Sequence, residues 1–197
     1  MFPSIKHVPL EAISSYKAAG IVPFHSSFSS SSSFSDGWFL VGRDTRRKFR
    51  GASRVWCDFG GKIDRKLDGN DPWSTAVREY GEETEGALAS AKWSPQEEHV
   101  RGVVWNKAGS YLLFLAECPS FRLSKWILPA KSEKDCLAWV RGKDLLDRSL
   151  QLPTPAALLP MKGYLAPDEG AESGVDVVAF PFFLYSFRII AESSAKQ

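Results

Sequence analysis

Residues 71–84 read as a helix whose own charges work against it. Asp71 is a good N-cap and Pro72 is favoured at the first helical position, so the helix is predicted to run from there to Thr84, with Gly86 as its stop. At about 100° per residue, Trp73, Ala76, Val77, Tyr80 and Thr84 share one face, suited to pack on a sheet. Glu79, Glu82 and Glu83 fall on the adjacent arc, three and four residues apart, where side chains are neighbours. These carboxylates repel one another. They also stand in the C-terminal half of the helix, where the macrodipole disfavours negative charge. Spacing alone admits a solvated acidic face. It equally admits a site for a hard divalent cation, since Mg²⁺ and Mn²⁺ prefer oxygen ligands and would offset the repulsion.

The surrounding sequence supplies a sheet for that helix. Residues 18–24 and 38–41 read as strands, and the Ser-rich stretch 26–35 between them as a surface hairpin loop. Residues 57–64 look like a strand entering a glycine turn at Gly60 and Gly61. Strands are predicted at 100–105 and 111–118, joined by a short turn at 106–110, and around Trp139 and Val140, ahead of 143–150. The Pro/Gly-rich stretch 152–170 reads as irregular. Residues 182–191 suit a C-terminal helix with Pro181 in its first turn, or a buried strand. Strands alternate with a few helices but without a regular repeating unit. The expectation is therefore an α/β fold of the mixed α+β kind, a mixed sheet flanked by helices, with residues 1–197 as one domain.

Charge and cysteine content narrow the function classes. The chain has 197 residues with 25 basic and 23 acidic side chains, a net charge of +2. That balance does not suit a protein that coats nucleic acid or an anionic membrane. No apolar run approaches the ~20 residues that span a bilayer, and 177–190 is broken by Pro181 and Arg188. The N-terminus lacks the basic-then-apolar pattern of a secretory signal. Cys57, Cys118 and Cys136 form neither a disulfide framework nor a zinc spacing, so a reducing, cytoplasmic location is expected. His7, His25 and His99 have no partner spacing. Arg43, Arg46, Arg47, Lys48, Arg50 and Arg54 form a basic stretch, either a solvated loop or a phosphate-steering rim. Trp38, Trp105 and Trp126 are candidates to stack on a nucleobase.

Residues 61–86 resemble the Nudix box, Gly-x5-Glu-x7-Arg-Glu-U-x-Glu-Glu-x-Gly-U with U a bulky apolar residue. Arg78-Glu79-Tyr80-Gly81-Glu82-Glu83-Thr84 matches its catalytic half, Gly60-Gly61-Lys62-Ile63 its entry, and Thr75-Ala76-Val77 the usual lead-in. The stretches 19–23 and 39–42 are similar to the first strands of that fold, and the resemblance covers about residues 17–145. The sequence departs from the box in three places. The loop from Gly61 to Arg78 is about three residues longer, Asn70 stands where the first Glu aligns, with Asp64, Asp68 and Asp71 nearby, and Glu85 replaces the terminal glycine.

The resemblance implies an α/β/α sandwich and a Mg²⁺- or Mn²⁺-dependent pyrophosphohydrolase. Its substrate would be a small nucleotide-type diphosphate, a nucleoside diphosphate linked to another moiety, attacked by water at phosphorus. By the same resemblance Glu82 and Glu83 ligate the metal, Glu79 is a further ligand or the general base, and Arg78 orients Glu79. Gly60 and Gly61 bring a backbone carbonyl to the metal. Glu133 is expected as a distant acidic ligand, with Glu117, Asp135, Glu97 and Glu98 as competitors. Lys62, Arg46 and Arg54 are expected to contact substrate phosphates. The alternatives are a catalytically inactive module with this fold and an RNA cap-hydrolysing enzyme, the latter hinted at only by the basic stretch at 43–54.

Overall fold

The structure is a computed structural model that describes residues 8, 10–26, 34–45, 54–84, 93–119, 121–123, 133–154, 159–167 and 175–194. Among the described residues nine strands form one mixed sheet. The strands are β1 (Ala18–His25), β2 (Trp38–Asp44), β3 (Val55–Cys57), β4 (Phe59–Lys62), β5 (Val100–Asn106), β6 (Tyr111–Glu117), β7 (Lys134–Arg141), β8 (Met161–Tyr164) and β9 (Val175–Val177). The main order is β5-β6-β1-β2-β7-β8-β9, with β4 on β1 and β3 on β2. β1 runs parallel to β6 from Ala18 to Phe24 and antiparallel to its other neighbours. Because helices cover both faces, the central strands read as continuous apolar runs rather than alternating ones.

On its other side β1 pairs first with β4, from Ala18 to Ile21, and then with β2 through Phe24 and His25. β3 takes the far end of β2, from Gly42 to Asp44. β3 and β4 thus form a wedge between β1 and β2, and the sheet forks. Asp58 is the single residue joining the two wedge strands.

Helices α1 (Leu10–Ser15) and α2 (Pro72–Thr84) belong to one layer, packed over Ile21, Leu40, Phe59, Leu112 and Trp139. α3 (Gly142–Leu150) and α4 (Pro181–Ser194) belong to the other, over Val22, Phe39, Val41, Leu113 and Val140. The expected sandwich is therefore present. In α4, Phe183, Leu184, Phe187 and Ile190 recur at helical spacing and are buried, which decides for a helix at the C-terminus. Phe34, at the end of the Ser-rich stretch, is part of this core, packed on Phe39 and Phe187. Residues 27–33 of that stretch lie outside the described residues.

The structure departs from the sequence reading in several places. Gly60 and Gly61, expected in a turn, lie inside β4 and pair with Gly20 and Ala19 of β1, and α1 and β9 have no counterpart in that reading. β7 spans eight residues instead of a short stretch around Trp139. The supposedly irregular region 152–170 contains β8, which pairs with β7 at Trp139 and Val140 and with β9 on its other edge. A four-residue strand has too little periodicity to announce itself; its pairing partners create it. Among the described residues no helix is long and apolar enough to cross a membrane.

Candidate active site

α2 begins as its sequence requires. The Asp71 carboxylate accepts the backbone N–H groups of Trp73 and Ser74 at 3.2 and 2.9 Å, capping the helix ahead of Pro72. The loop before the cap is organised by Asp68. This buried carboxylate accepts the Asp64 N–H at 2.9 Å, the Thr75 hydroxyl at 3.0 Å, and Arg78 through Nε at 2.8 Å and Nη2 at 3.0 Å. The forked arginine pair is a charge-assisted, two-point contact. Arg78 holds the Asp68 carboxyl below its ordinary pKa, and Asp68 in turn raises the guanidinium above its own.

Arg78 has further work. Its Nη2 donates to the Lys62 carbonyl at 3.0 Å, tying α2 to the end of β4. Its Nη1 lies 2.9 Å from Glu79 and 3.2 Å from Glu82. The orienting role expected of Arg78 toward Glu79 thus has the right geometry, and Asp68, not Asn70, is the acidic partner that holds it. The cluster Asp64, Asp68, Asp71 was visible in the sequence; the longer loop shifts the alignment by two positions and hides which of its members matters.

Glu79 is mostly covered. Burial raises its pKa, Arg78 opposes that shift, and the charges of Glu82 and Glu133 add to it. It lies against Gly61, where an added Cβ would come within 2.3 Å of its Oε2. Glu82, on the outer side of the helix, is 58 % exposed.

Glu83 faces the other way. It is 1 % exposed and points into the fork of the sheet. Its Oε2 accepts the Gly60 N–H at 2.8 Å, and its Oε1 is 3.2 Å from the ammonium of Lys134. Lys134 is fully buried, donates to the Cys57 Sγ at 3.0 Å and lies 3.8 Å from the buried Asp44 carboxylate. Burial raises the Glu83 carboxyl to about 7 against the pull of Lys134, and Asp58 adds to the rise. Asp58 itself accepts a short hydrogen bond from the Tyr111 hydroxyl, which reaches it between Gly20 and Gly60. Lys134, Asp44, Asp58, Cys57 and Tyr111 escape a reading based on local pattern, because strands far apart in the chain bring them together.

The remaining expected residues divide. Glu133 immediately precedes β7, anchored by its carbonyl to Thr45 N–H at 3.1 Å, and its charge reaches Glu79. Glu117 is engaged by Arg101 at 2.7 Å and by Ser26 at 3.0 Å. Asp135 receives both Arg43 and Arg54. Arg43 lies over Trp56, which belongs to the α4-side core. Arg54 is thus bound at Asp135 and is not brought to Glu79. Glu97 and Glu98 sit in a 3₁₀ turn before β5. Lys62 is exposed at the end of β4. Arg46, Trp126, Glu85 and the expected helix stop at Gly86 lie outside the described residues. Trp38 is 4 % exposed and packed edge-on against Tyr164, so no base can stack on it.

The outer donor set fits a hard divalent ion. Mg²⁺ characteristically joins one or two carboxylates to waters and substrate phosphates, and Glu79 and Glu82 offer such oxygens, with the Glu133 charge close to Glu79. Glu83 is different, since both its oxygens are engaged inward. Among the described residues no three His, Cys, Asp or Glu side chains are gathered into one metal cage.

No family profile matches the chain, and no curated protein matches it. Among solved structures it is similar to RenU, a Nudix hydrolase from M. smegmatis, at 17% identity and a TM-score of 0.39, over 92% of this chain and 88% of that one. It is also similar to the NUDIX domain of Shewanella oneidensis NrtR, complexed with ADP ribose, at 15% identity and a TM-score of 0.40, over 72% of this chain and 82% of that one.

Proposed function

We propose that the protein is a Nudix-type, metal-dependent pyrophosphohydrolase that cleaves the diphosphate of a nucleoside diphosphate linked to another moiety. The supporting observation is the Arg78 guanidinium, which engages Asp68, the Lys62 carbonyl, Glu79 and Glu82 together. A surface helix with a solvated acidic face has no use for such a lock. A site that must hold two carboxylates at a fixed place beside a glycine strand does.

The geometry supports a division of roles. Glu79 and Glu82 would hold Mg²⁺ or Mn²⁺, with Glu133 as the acidic residue from outside the helix. The ion, when bound, supplies charge neutralisation for the phosphates and lowers the pKa of a coordinated water. Glu79 is the proton acceptor, since its burial raises its basicity and Arg78 fixes its orientation. Gly61 lets Glu79 lie flat against β4. Lys62, exposed at the end of that strand, would meet a substrate phosphate, and little further chemistry is needed, because phosphoryl transfer is mainly positioning and electrostatics.

The test is a substrate panel of nucleotide sugars, dinucleoside polyphosphates, NADH, nucleoside triphosphates, diphosphoinositol phosphates and capped RNA, each with Mg²⁺ and with Mn²⁺. Hydrolysis of a linked nucleoside diphosphate is expected, abolished by excess EDTA and restored by either ion. Activity that persists in chelator overturns the metal dependence. No turnover on any member leaves a binding module with this fold.

A further inference from the structure

We propose that the Lys134 ammonium is a resident cation of the carboxylate centre, standing beside Glu83 where a divalent ion would otherwise sit, so that α2 presents only Glu79 and Glu82 outward. This rests on the reading of α2 as a metal-binding helix and adds a positioning residue to it.

A buried ammonium is expensive unless it is paired and hydrogen-bonded. Lys134 is fully buried and meets Glu83 at 3.2 Å, Cys57 Sγ at 3.0 Å and Asp44 at 3.8 Å. Its path is built for it: a Cβ on Gly42 would come within 3.0 Å of the Lys134 Cγ and Cδ, so the stem runs over the bare glycine of β2. Three carboxylates, Asp44, Asp58 and Glu83, line the fork, and such a concentration of negative charge calls for a cation. Asp58 is served by Tyr111, and the tethered ammonium serves the other two.

The consequence reaches the outer carboxylates through the backbone. Glu83 accepts the Gly60 N–H, and the next residue, Gly61, lies directly against Glu79. Lys134 therefore holds Glu83, Glu83 holds β4, and β4 sets the seat of Glu79. Unlike a bound metal, a lysine cannot be lost to a chelator, so this part of the site stays assembled without one.

The experiment uses Lys134→Ala, which removes the ammonium and opens the space beside Glu83, together with Lys134→Ala/Glu83→Gln. Melting curves and Mn²⁺ binding are measured for these variants and the wild type, with Mn²⁺ alone as the probe. Lys134→Ala should melt lower than the wild type in metal-free buffer. It should then gain a Mn²⁺-dependent rise of about 5–10 °C beyond any wild-type rise, near a hundredfold excess over the dissociation constant. If it is unfolded without metal, refolding on addition of Mn²⁺ is the same result. The double variant should lose that extra rise. Lys134→Ala responding to Mn²⁺ no more than the wild type, or keeping its extra response after Glu83→Gln, overturns the proposal. Neither readout requires turnover, so a chain that hydrolyses nothing in the panel still decides this point.

Discussion

Asp68 shows how much one side chain can carry at this site. It gathers the loop, the first turn of α2 and Arg78 around one buried carboxylate, and removing its charge leaves the arginine with acceptors on one side only. Asp68→Asn should cost about 2–3 kcal/mol in urea denaturation at neutral pH. The sign of the pH dependence follows from the depressed carboxyl. Its folded-state pKa lies below the ordinary 3.8, so its contribution is present above that value and disappears as pH falls through the folded-state pKa. Asp68→Asn should therefore lose less stability than the wild type across that acid limb; an equal loss would locate the acid sensitivity elsewhere. Glu133 offers a second comparison at this scale. Its charge acts on Glu79, whereas Glu117 is held by Arg101 and Ser26. Glu133→Gln should lower turnover at least about tenfold, with Glu117→Gln close to wild type; the reverse ranking would assign the outer acidic residue to Glu117.

Among the elements, β4 and α2 work as a pair, and two adjacent glycines of β4 do different jobs. A methyl group at Gly61 would meet the end of the Glu79 side chain, 2.3 Å from Oε2. That end can move, so Gly61→Ala should fold and melt near the wild type while turnover falls by about 10²–10⁴-fold, as for loss of a positioned proton acceptor. A methyl group at Gly60 would meet the Gly20 Cα at 2.5 Å and the Ala19 carbonyl at 2.7 Å, and backbone cannot step aside. Gly60→Ala should therefore destabilise by about 1–3 kcal/mol or more, by separating β4 from β1. Thermal melts and initial rates on both variants check the contrast, which fails if Gly61→Ala keeps wild-type turnover.

For the molecule as a whole, the sheet separates a structural layer from a chemical one. The α3–α4 layer holds a dense aromatic core in which Phe187 meets Phe183 at 4.9 Å and Phe34 and Phe39 at 5.3 Å each. Phe187→Ala should cost about 3–5 kcal/mol through the cavity it leaves. Its turnover per folded molecule should stay near the wild type, because the carboxylates stand on the α2 side. A large fall in turnover at temperatures where the variant is fully folded would show that the two layers are coupled.

What could be read without the structure was local. The Asp71 cap, the Pro72 start and the Arg78–Glu83 spacing depend on residues within a few positions of one another, and they recur in the structure as read, whereas Gly60 and Gly61, read as a turn, lie inside β4 because β1 pairs with them. The direction each carboxylate takes was different. Periodicity placed Glu79, Glu82 and Glu83 on one arc, but the width of the buried face decides where that arc is cut, and Glu83 falls inside it beside Thr84. The choice of Asp68 over Asn70 depended on how a longer loop closes, and the placing of Arg54 on which strand end carries Asp135. The burial of Trp38 and the existence of β8 came from neighbouring strands. Lys134 is the clearest case. As a lysine before an apolar run it looks like an ordinary strand-edge charge. Only the pairing of β7 with β2 sets it against Asp44, and only the fork opened by β3 and β4 brings it to Glu83. The sequence by itself determined the helix and its charges; tertiary structure decided which charges meet water and which must find a partner, because burial depends on the packing of segments distant in the chain.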